Sequence, residues 1–241
     1  MIRLVIVGGD HPRSESLCRE LIASGLFQVE IQPRVNLEDL EGNYSLQSIP
    51  SHKYGRALSC TESCCALAHK LAQERLISTG GVVLEDDAVV LNYQALADYA
   101  AQVVGSDENI LLNFSTTRCA EDAHWDFGNN LLIRTYGPTA LAVGYAASRS
   151  EMQQLIESNN SLEYVADWPP TRAKHLRLKF PLIAHGYRNT QSLIGSTVTR
   201  RQVSLWQLLI RGHHRIFLIR IQGKLRFEVN KFLLCKKGAR L

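Results

Sequence analysis

The sequence predicts an α/β fold, and three observations carry the prediction. A β-branched run, Ile2 to Val7, ends in Gly8-Gly9 and is followed by a helical pattern. A longer helical pattern opens at Ser59. That helix leads through Gly80-Gly81 into a second short apolar run, Val82 to Leu84, which ends in Glu85-Asp86-Asp87. Buried parallel strands read as continuous apolar runs, and their alternation with helices marks βα units.

The elements follow in order. Ile2 to Val7 is the first strand and Gly8-Gly9 its closing turn. Ser14 to Ser24 is a helix, because Leu17, Leu21 and Ile22 fall at i, i+4 and i+5 and Gly25 stands where a helix stops. Phe27 to Ile31 makes the second strand. Residues 33–55 are turn-rich and without period, and read as a long excursion over the surface. Ser59-Cys60-Thr61-Glu62 has the S-x-x-E form of a capping box. Behind it Cys65, Leu67, Ala68, Leu71, Ala72 and Leu76 supply an apolar stripe to about Ser78. After Val82 to Leu84 the chain returns to apolar Ala88 to Leu91. Tyr93 to Val104 is a helix, and Ile110 to Phe114, Asn130 to Arg134 and Thr139 to Ala146 are strands. Ser148-Arg149-Ser150-Glu151 repeats the capping box and opens a helix to about Glu157, and Phe180 to Ala184 is a last strand.

With 241 residues, 45% apolar and 21% charged, the chain has globular composition and length for one large α/β domain or a domain plus an appendage. Disordered, collagen-like and coiled-coil classes are excluded. No apolar run approaches the roughly 18 to 20 residues of a membrane span; the candidates near the C-terminus are cut by Arg211, Arg215, Arg220 and Lys224. Leu4 to Val7 is too short for the apolar core of a secretion signal, so the expected location is the cytoplasm. Charge is unevenly placed. Residues 1–199 hold 16 basic and 22 acidic side chains, a net of −6, while residues 200–241 hold 11 basic and one acidic, a net of +10. That shift divides the chain near Arg200 into an acidic domain, 1–199, and a basic appendage, 200–241.

The six cysteines, at 18, 60, 64, 65, 119 and 235, lack the spacing of a disulfide framework and read as reduced thiols. Cys60, Cys64, Cys65 and His69 are zinc-ligand types, but no second Cys pair completes the pattern. Small apolar side chains buried on a helix are the preferred reading there. The three carboxylates at 85, 86 and 87 ask for more, because adjacent charges at the end of a buried strand repel unless a cation or several donors lie beside them. A divalent ion, Mn²⁺ or Mg²⁺, is one answer, since ligands of open α/β sheets bind at the C-terminal ends of strands. A solvated acidic turn is the other.

The run Glu62-Ser63-Cys64-Cys65-Ala66-Leu67-Ala68-His69, followed by Val82-Val83-Leu84-Glu85-Asp86-Asp87, resembles glycosyltransferase family 25. Its bacterial members include lipopolysaccharide and lipooligosaccharide galactosyltransferases. The family shows a Glu-x-Gly-Cys-x-x-Ser-His helix start and a Leu-Glu-Asp-Asp strand end. Glu62, Cys65, His69 and Leu84 to Asp87 match, while Cys64 replaces the usual Gly and Ala68 the usual Ser. Leu4 to Arg13 is similar to the family's opening strand and basic loop, with Gly8-Gly9 in place of Asn-Leu. Gly144-Tyr145 before Ser148, Asp167, and Pro181 with Ser192 resemble its later motif positions. The resemblance covers residues 1–195 and leaves the basic region outside.

The resemblance implies a GT-A fold, a Rossmann-like α/β/α sandwich binding a nucleotide sugar on its N-terminal half. It implies inverting transfer of a sugar, commonly galactose from UDP-galactose, to a glycan or glycolipid acceptor. On that reading Asp87, with Glu85 or Asp86 assisting, holds the metal that stabilises charge on the departing diphosphate. His185, after the strand Phe180 to Ala184, is a further candidate ligand, at a position where Gln is more usual. An inverting displacement needs a base on the face opposite the leaving group, and Asp167, in Val165-Ala166-Asp167-Trp168-Pro169-Pro170, either serves there or caps the turn at Pro169. Glu62 is a candidate catalytic residue or only the closing half of its capping box. His69 is a donor contact or a hydrogen-bonded core histidine. Arg13 meets the nucleotide or its phosphates, or is a solvated surface residue. In the polar stretch Thr116 to Asn129, with His124 and Asp126, Trp125 is a sugar platform or a packing anchor.

Two functions from different classes follow. One is a metal-dependent glycosyltransferase of surface-polysaccharide synthesis. The other is a non-catalytic protein of the same fold that holds anionic lipid or nucleic acid through its basic region. The intact Glu85-Asp86-Asp87 favours the first. Residues 200–241 mix their cations with Trp206, Phe217, Phe227 and many Ile and Leu, which as helices give an apolar face flanked by charge. That suits the anionic cytoplasmic face of a membrane rather than nucleic acid; the alternative is a helical pair packed back on the domain with its basic face solvated.

Overall fold

The computed structural model describes residues 1–9, 11–43, 58–115, 126–127, 132–134, 143–160, 162, 166 and 173–185. Asp167, Cys119, His124, Trp125, Ser192, the boundary expected near Arg200 and the basic region 200–241 lie outside them.

Ten strands and five helices make up the described residues. The strands are β1 (Ile2–Val7), β2 (Phe27–Gln32), β3 (Gly81–Glu85), β4 (Ala88–Val90), β5 (Ile110–Asn113), β6 (Asp126–Phe127), β7 (Leu132–Arg134), β8 (Gly144–Ala147), β9 (Lys174–Leu178) and β10 (Ile183–His185). The helices are α1 (Pro12–Ala23), α2 (Leu37–Asn43), α3 (Cys60–Leu76), α4 (Tyr93–Val104) and α5 (Arg149–Ser158). Eight strands form one sheet in the order β2-β1-β3-β8-β5-β9-β7-β6, and β10 pairs with β4 in a second. Only β8 and β7 run against the direction of the other six. The fold is mixed α/β with a mostly parallel sheet, as the sequence predicts.

The layering follows from the alternation of side chains along β1. Leu4 and Ile6 face one core, shared with Leu17 and Leu21 of α1 and Leu96, Ala100 and Val103 of α4. Val5 and Val7 face the other, shared with Leu67, Ala72 and Leu76 of α3 and Met152 and Leu155 of α5. Successive residues of a strand point to opposite faces, so a β-branched run is buried on both only if helices cover each side. Each fully buried aliphatic side chain contributes about 1.5 to 3 kcal/mol, which is why these runs decide the architecture.

Four readings of the sequence are amended. Residues 33–55 are not wholly aperiodic: Leu37–Asn43 forms α2, stapled by reciprocal bonds between Asn36 and Asp39 (2.9 Å each) with Leu40 fully buried. Lys174–Leu178 is an interior strand, β9, because Lys174 reaches out to Glu108 (3.0 Å) while Leu176 and Leu178 enter the core. The last strand begins at Ile183, not at Phe180, whose side chain is 66% exposed. At α5 the Ser148 hydroxyl accepts from the Glu151 N–H, but the Ser148 N–H donates to the Ile110 carbonyl (3.1 Å), so neighbouring β5 takes the donor that Glu151 would cap.

Candidate functional site

The site lies where the parallel strands β1 and β3 end side by side, with Val7 in register with Glu85. The Asp86 N–H donates to the Val7 carbonyl (2.9 Å) and the Glu85 N–H to the Val143 carbonyl (2.9 Å), so the acidic turn is anchored on both flanks. Gly8 makes the approach feasible. A Cβ there would fall 2.4 Å from Asp86 Cβ and 2.7 Å from Asp86 Cγ. Gly9, at φ +76°, turns the chain left-handedly against Arg34, where a Cβ would sit 2.4 Å from the Arg34 Cβ.

This double glycine delivers the chain into α1, with Pro12 in its first turn and the His11 side chain accepting the Arg13 N–H (3.3 Å). Arg13 then reaches the acidic turn, its Nε 3.5 Å from Asp86 Oδ2. The side chains are only 21% and 18% exposed, so Arg13 is not a solvated surface residue. Burial pushes the Asp86 carboxyl above its ordinary value, Arg13 pulls it back, and Asp87 pushes it up again. A nearby cation relieves such crowding of negative charge, and carboxylate oxygens are the ligand type that hard divalent ions take.

Glu85 faces elsewhere. Its Oε1 stands 3.4 Å from Nε2 of His69, which comes from the middle of α3. His69 is buried, and its ring stacks on Tyr145 of β8, with ring centroids 6.1 Å apart and planes 17° off parallel. Tyr145 is fixed in turn, its hydroxyl accepting from Gln73 Nε2 (2.9 Å) one turn further along α3. Cys65 precedes His69 by one helical turn on the same face, and one ligand atom from each of Cys65, His69 and Glu85 lies within 4.8 Å of the others. Burial works against charge on His69, but the Cys65 thiol and the Glu85 carboxylate beside it prevail and hold its pKa well above the ordinary imidazole value.

Glu62 closes the capping box: its Oε2 accepts from the Ser59 N–H (2.9 Å) and the Ser59 hydroxyl (3.2 Å), while its own N–H donates to Ser59 Oγ (3.2 Å). The helix-capping role of Glu62 is therefore realised, and through it Glu62 sets the start of the helix that carries Cys65 and His69. The reading of the helix cysteines as buried apolar groups needs amending, since Cys60 is exposed and Cys64 and Cys65 are partly buried. His185 pairs with Ala88 across the small sheet, which puts its backbone opposite the residue that follows Asp87. Asp126 lies in β6, five strands from β3, so about 24 Å along the sheet at ~4.8 Å per strand.

Sequence reasoning brought Arg13, His69, Glu85, Asp86 and Asp87 forward, and these are gathered at one end of the sheet. It missed Tyr145 and Gln73 as supports of His69, and it missed Glu85 as the neighbour of the Cys65–His69 pair. The i, i+4 spacing of Cys65 and His69 was the available signal; the third member comes from tertiary packing. Comparison with protein-family models gives no match, and a search of curated proteins gives none either.

Proposed function

We propose that this chain is a metal-dependent inverting glycosyltransferase that moves a sugar from a nucleotide-sugar donor to a lipopolysaccharide, lipooligosaccharide or other surface-glycan acceptor. The resemblance at residues 62–69 and 82–87 points to UDP-galactose as donor. The observation that carries the reading is the meeting of Arg13, the first turn of α1 and Asp86-Asp87 across Gly8. A helix N-terminus and a guanidinium suit the phosphates of a nucleotide, and paired carboxylates suit the cation that accompanies them.

In this reading Asp87, with Asp86, would hold Mn²⁺ or Mg²⁺, which would supply Lewis-acid stabilisation of charge on the leaving diphosphate. Arg13, 3.5 Å from Asp86, favours its ionised form against the effect of burial and presents positive charge on the donor side. His69, stacked on Tyr145, stands 3.4 Å from the Glu85 carboxylate at the end of β3. His185 is kept as a further candidate ligand on the resemblance, its backbone paired with Ala88. Asp167 is assigned as general base on the resemblance and on the need of an inverting displacement for a carboxylate at the acceptor hydroxyl. Residues 200–241 are assigned to docking on an anionic membrane surface, where a lipid-linked acceptor would lie.

The test is a panel of nucleotide sugars offered to the purified full-length chain with and without Mn²⁺, reading donor hydrolysis and binding. Metal-dependent binding of one donor class supports the proposal. Indifference to every nucleotide sugar in both conditions overturns it.

A further inference from the structure

The cluster of Cys65, His69 and Glu85 carries an inference that does not rest on glycosyl transfer. Neither ring nitrogen of His69 makes a well-formed hydrogen bond, although the side chain is only 3% exposed. Leaving both unsatisfied is costly in a protein interior, and such groups are rare. One of them, Nε2, stands 3.4 Å from Glu85 Oε1, beyond a good N–H···O bond. That separation has another meaning. Two ligand atoms each about 2.0 to 2.1 Å from a shared tetrahedral ion stand roughly 3.3 to 3.4 Å apart. The Cys65 thiol completes a set whose members all lie within 4.8 Å of one another.

We propose that Cys65, His69 and Glu85 form a binding site for a single borderline-soft divalent cation of the zinc class, separate from the hard-cation oxygens of Asp86 and Asp87. The donor set decides the class. A thiolate and an imidazole favour Zn²⁺ over Mg²⁺ or Mn²⁺, and a carboxylate is an ordinary third ligand. The local scaffold suits it: Cys65 and His69 share one face of α3, Glu85 ends the strand that α3 packs against, and Tyr145 sets the plane of the imidazole. Three protein ligands leave the fourth position open, the arrangement of exchangeable rather than closed structural sites. Glu85 thereby belongs to the soft site, and the acidic turn divides its three carboxylates between two kinds of cation.

The experiment uses the full-length protein, stripped with a chelator under reducing conditions and titrated with Co²⁺ as a spectroscopic substitute for Zn²⁺. One equivalent should produce a thiolate-to-cobalt charge-transfer band with the intense visible bands of tetrahedral coordination. One equivalent of Zn²⁺ should erase them, and excess Mg²⁺ should not. Cys65→Ser should lose the charge-transfer band while Cys60→Ser and Cys64→Ser keep it. Glu85→Gln, at a partly exposed strand end where the fold tolerates the change, should keep that band and lower Zn²⁺ affinity at least about tenfold. Absence of the band in the wild-type chain, its survival in Cys65→Ser, or unchanged Zn²⁺ affinity in Glu85→Gln each overturns the proposal. Because the readout is metal binding, it stands or falls apart from sugar transfer.

Discussion

Arg13 Nε stands 3.5 Å from Asp86 Oδ2, joining the first turn of α1 to the turn that follows β3. The two residues are 73 positions apart in sequence, and the parallel pairing of β1 with β3 brings them together. With Asp86 held by Arg13 and Glu85 facing His69, the acidic turn is three carboxylates with distinct surroundings rather than one diffuse patch of charge.

Asp87→Asn preserves shape and removes one charge from the oxygens assigned to the hard cation. Sugar transfer should fall by at least about a hundredfold, the scale on which lost electrostatic stabilisation of a transition state is felt. Folding stability should change by less than about 1 kcal/mol, because the residue is partly exposed and its removal leaves no cavity. Steady-state rates across a Mn²⁺ titration, with thermal unfolding alongside, check both halves. Full activity in the variant would remove Asp87 from the metal site.

Gly8→Ala tests the close approach itself. The added Cβ would meet Asp86 at 2.4 Å, so the acidic turn must shift, at a cost of about 1 to 3 kcal/mol. Donor binding should weaken with it. Gly25→Ala is the control: at φ +71° it strains the backbone but finds nothing within 4 Å, so it should lose stability and leave donor binding intact. Calorimetric melting and donor titration of both variants decide; equal donor affinity in Gly8→Ala would mean the turn is not part of the donor site.

What could be read from the sequence depended on where the determining contacts lie. β1, α3, β3 and α4 were legible because apolar period and caps are local: Ser59 with Glu62, and Asn92 accepting the Ala95 N–H at 3.0 Å. β9 was not, because Lys174, His175 and Arg177 break the apolar run, and the partner of Lys174, Glu108, is distant in sequence. The short helix α2 was hidden by its acidic first turn, with Leu40 buried in the core and Leu37 exposed. At the site, the residue types were legible and their grouping was not. Nothing local joins Arg13 to Asp86 or His69 to Glu85, since both pairs exist only once β1, β3 and α3 pack together.

Asp167→Asn separates the two substrates of the proposed reaction. A base serving the acceptor hydroxyl acts after the donor has bound, so turnover with acceptor should drop by about 10²- to 10⁴-fold while donor affinity stays within a few-fold. Isothermal titration with the nucleotide sugar, beside initial rates with acceptor, reads each effect. Collapse of donor binding would assign Asp167 to the donor side or to the fold.

Truncation after Thr199 removes a net charge of +10 with its interleaved Trp206, Phe217 and Phe227. Basic residues near an anionic leaflet contribute up to about 1 kcal/mol each, enough in sum to hold a peripheral protein. The shortened chain should no longer sediment with anionic vesicles at low salt. It should also lose activity on a lipid-linked acceptor while keeping turnover of a soluble acceptor fragment. If the full-length chain ignores those vesicles, the basic region serves another purpose.

The edge of the sheet supplies a pH test. Glu30 of β2 accepts from Arg3 (2.9 Å) and lies 3.2 Å from Arg75 of α3, a tie between β2, β1 and α3. Hydrogen bonding from Arg3 lowers the Glu30 pKa most; partial burial opposes it and Arg75 adds to it, with a net fall below the ordinary carboxylate value. A carboxyl depressed in the folded state stabilises the fold fully above its unfolded pKa, about 4.3 for Glu, and loses that contribution as pH falls through the lower folded value. Because the group is one-third exposed and screened, the contribution at neutral pH is about 1 kcal/mol or less. Urea midpoints of the wild type and Glu30→Gln should therefore differ at neutral pH and converge as pH drops below 4.3 or so. A gap that stays constant across that range would show that the two arginines do not favour the ionised form of Glu30, and that the variant acts through packing alone.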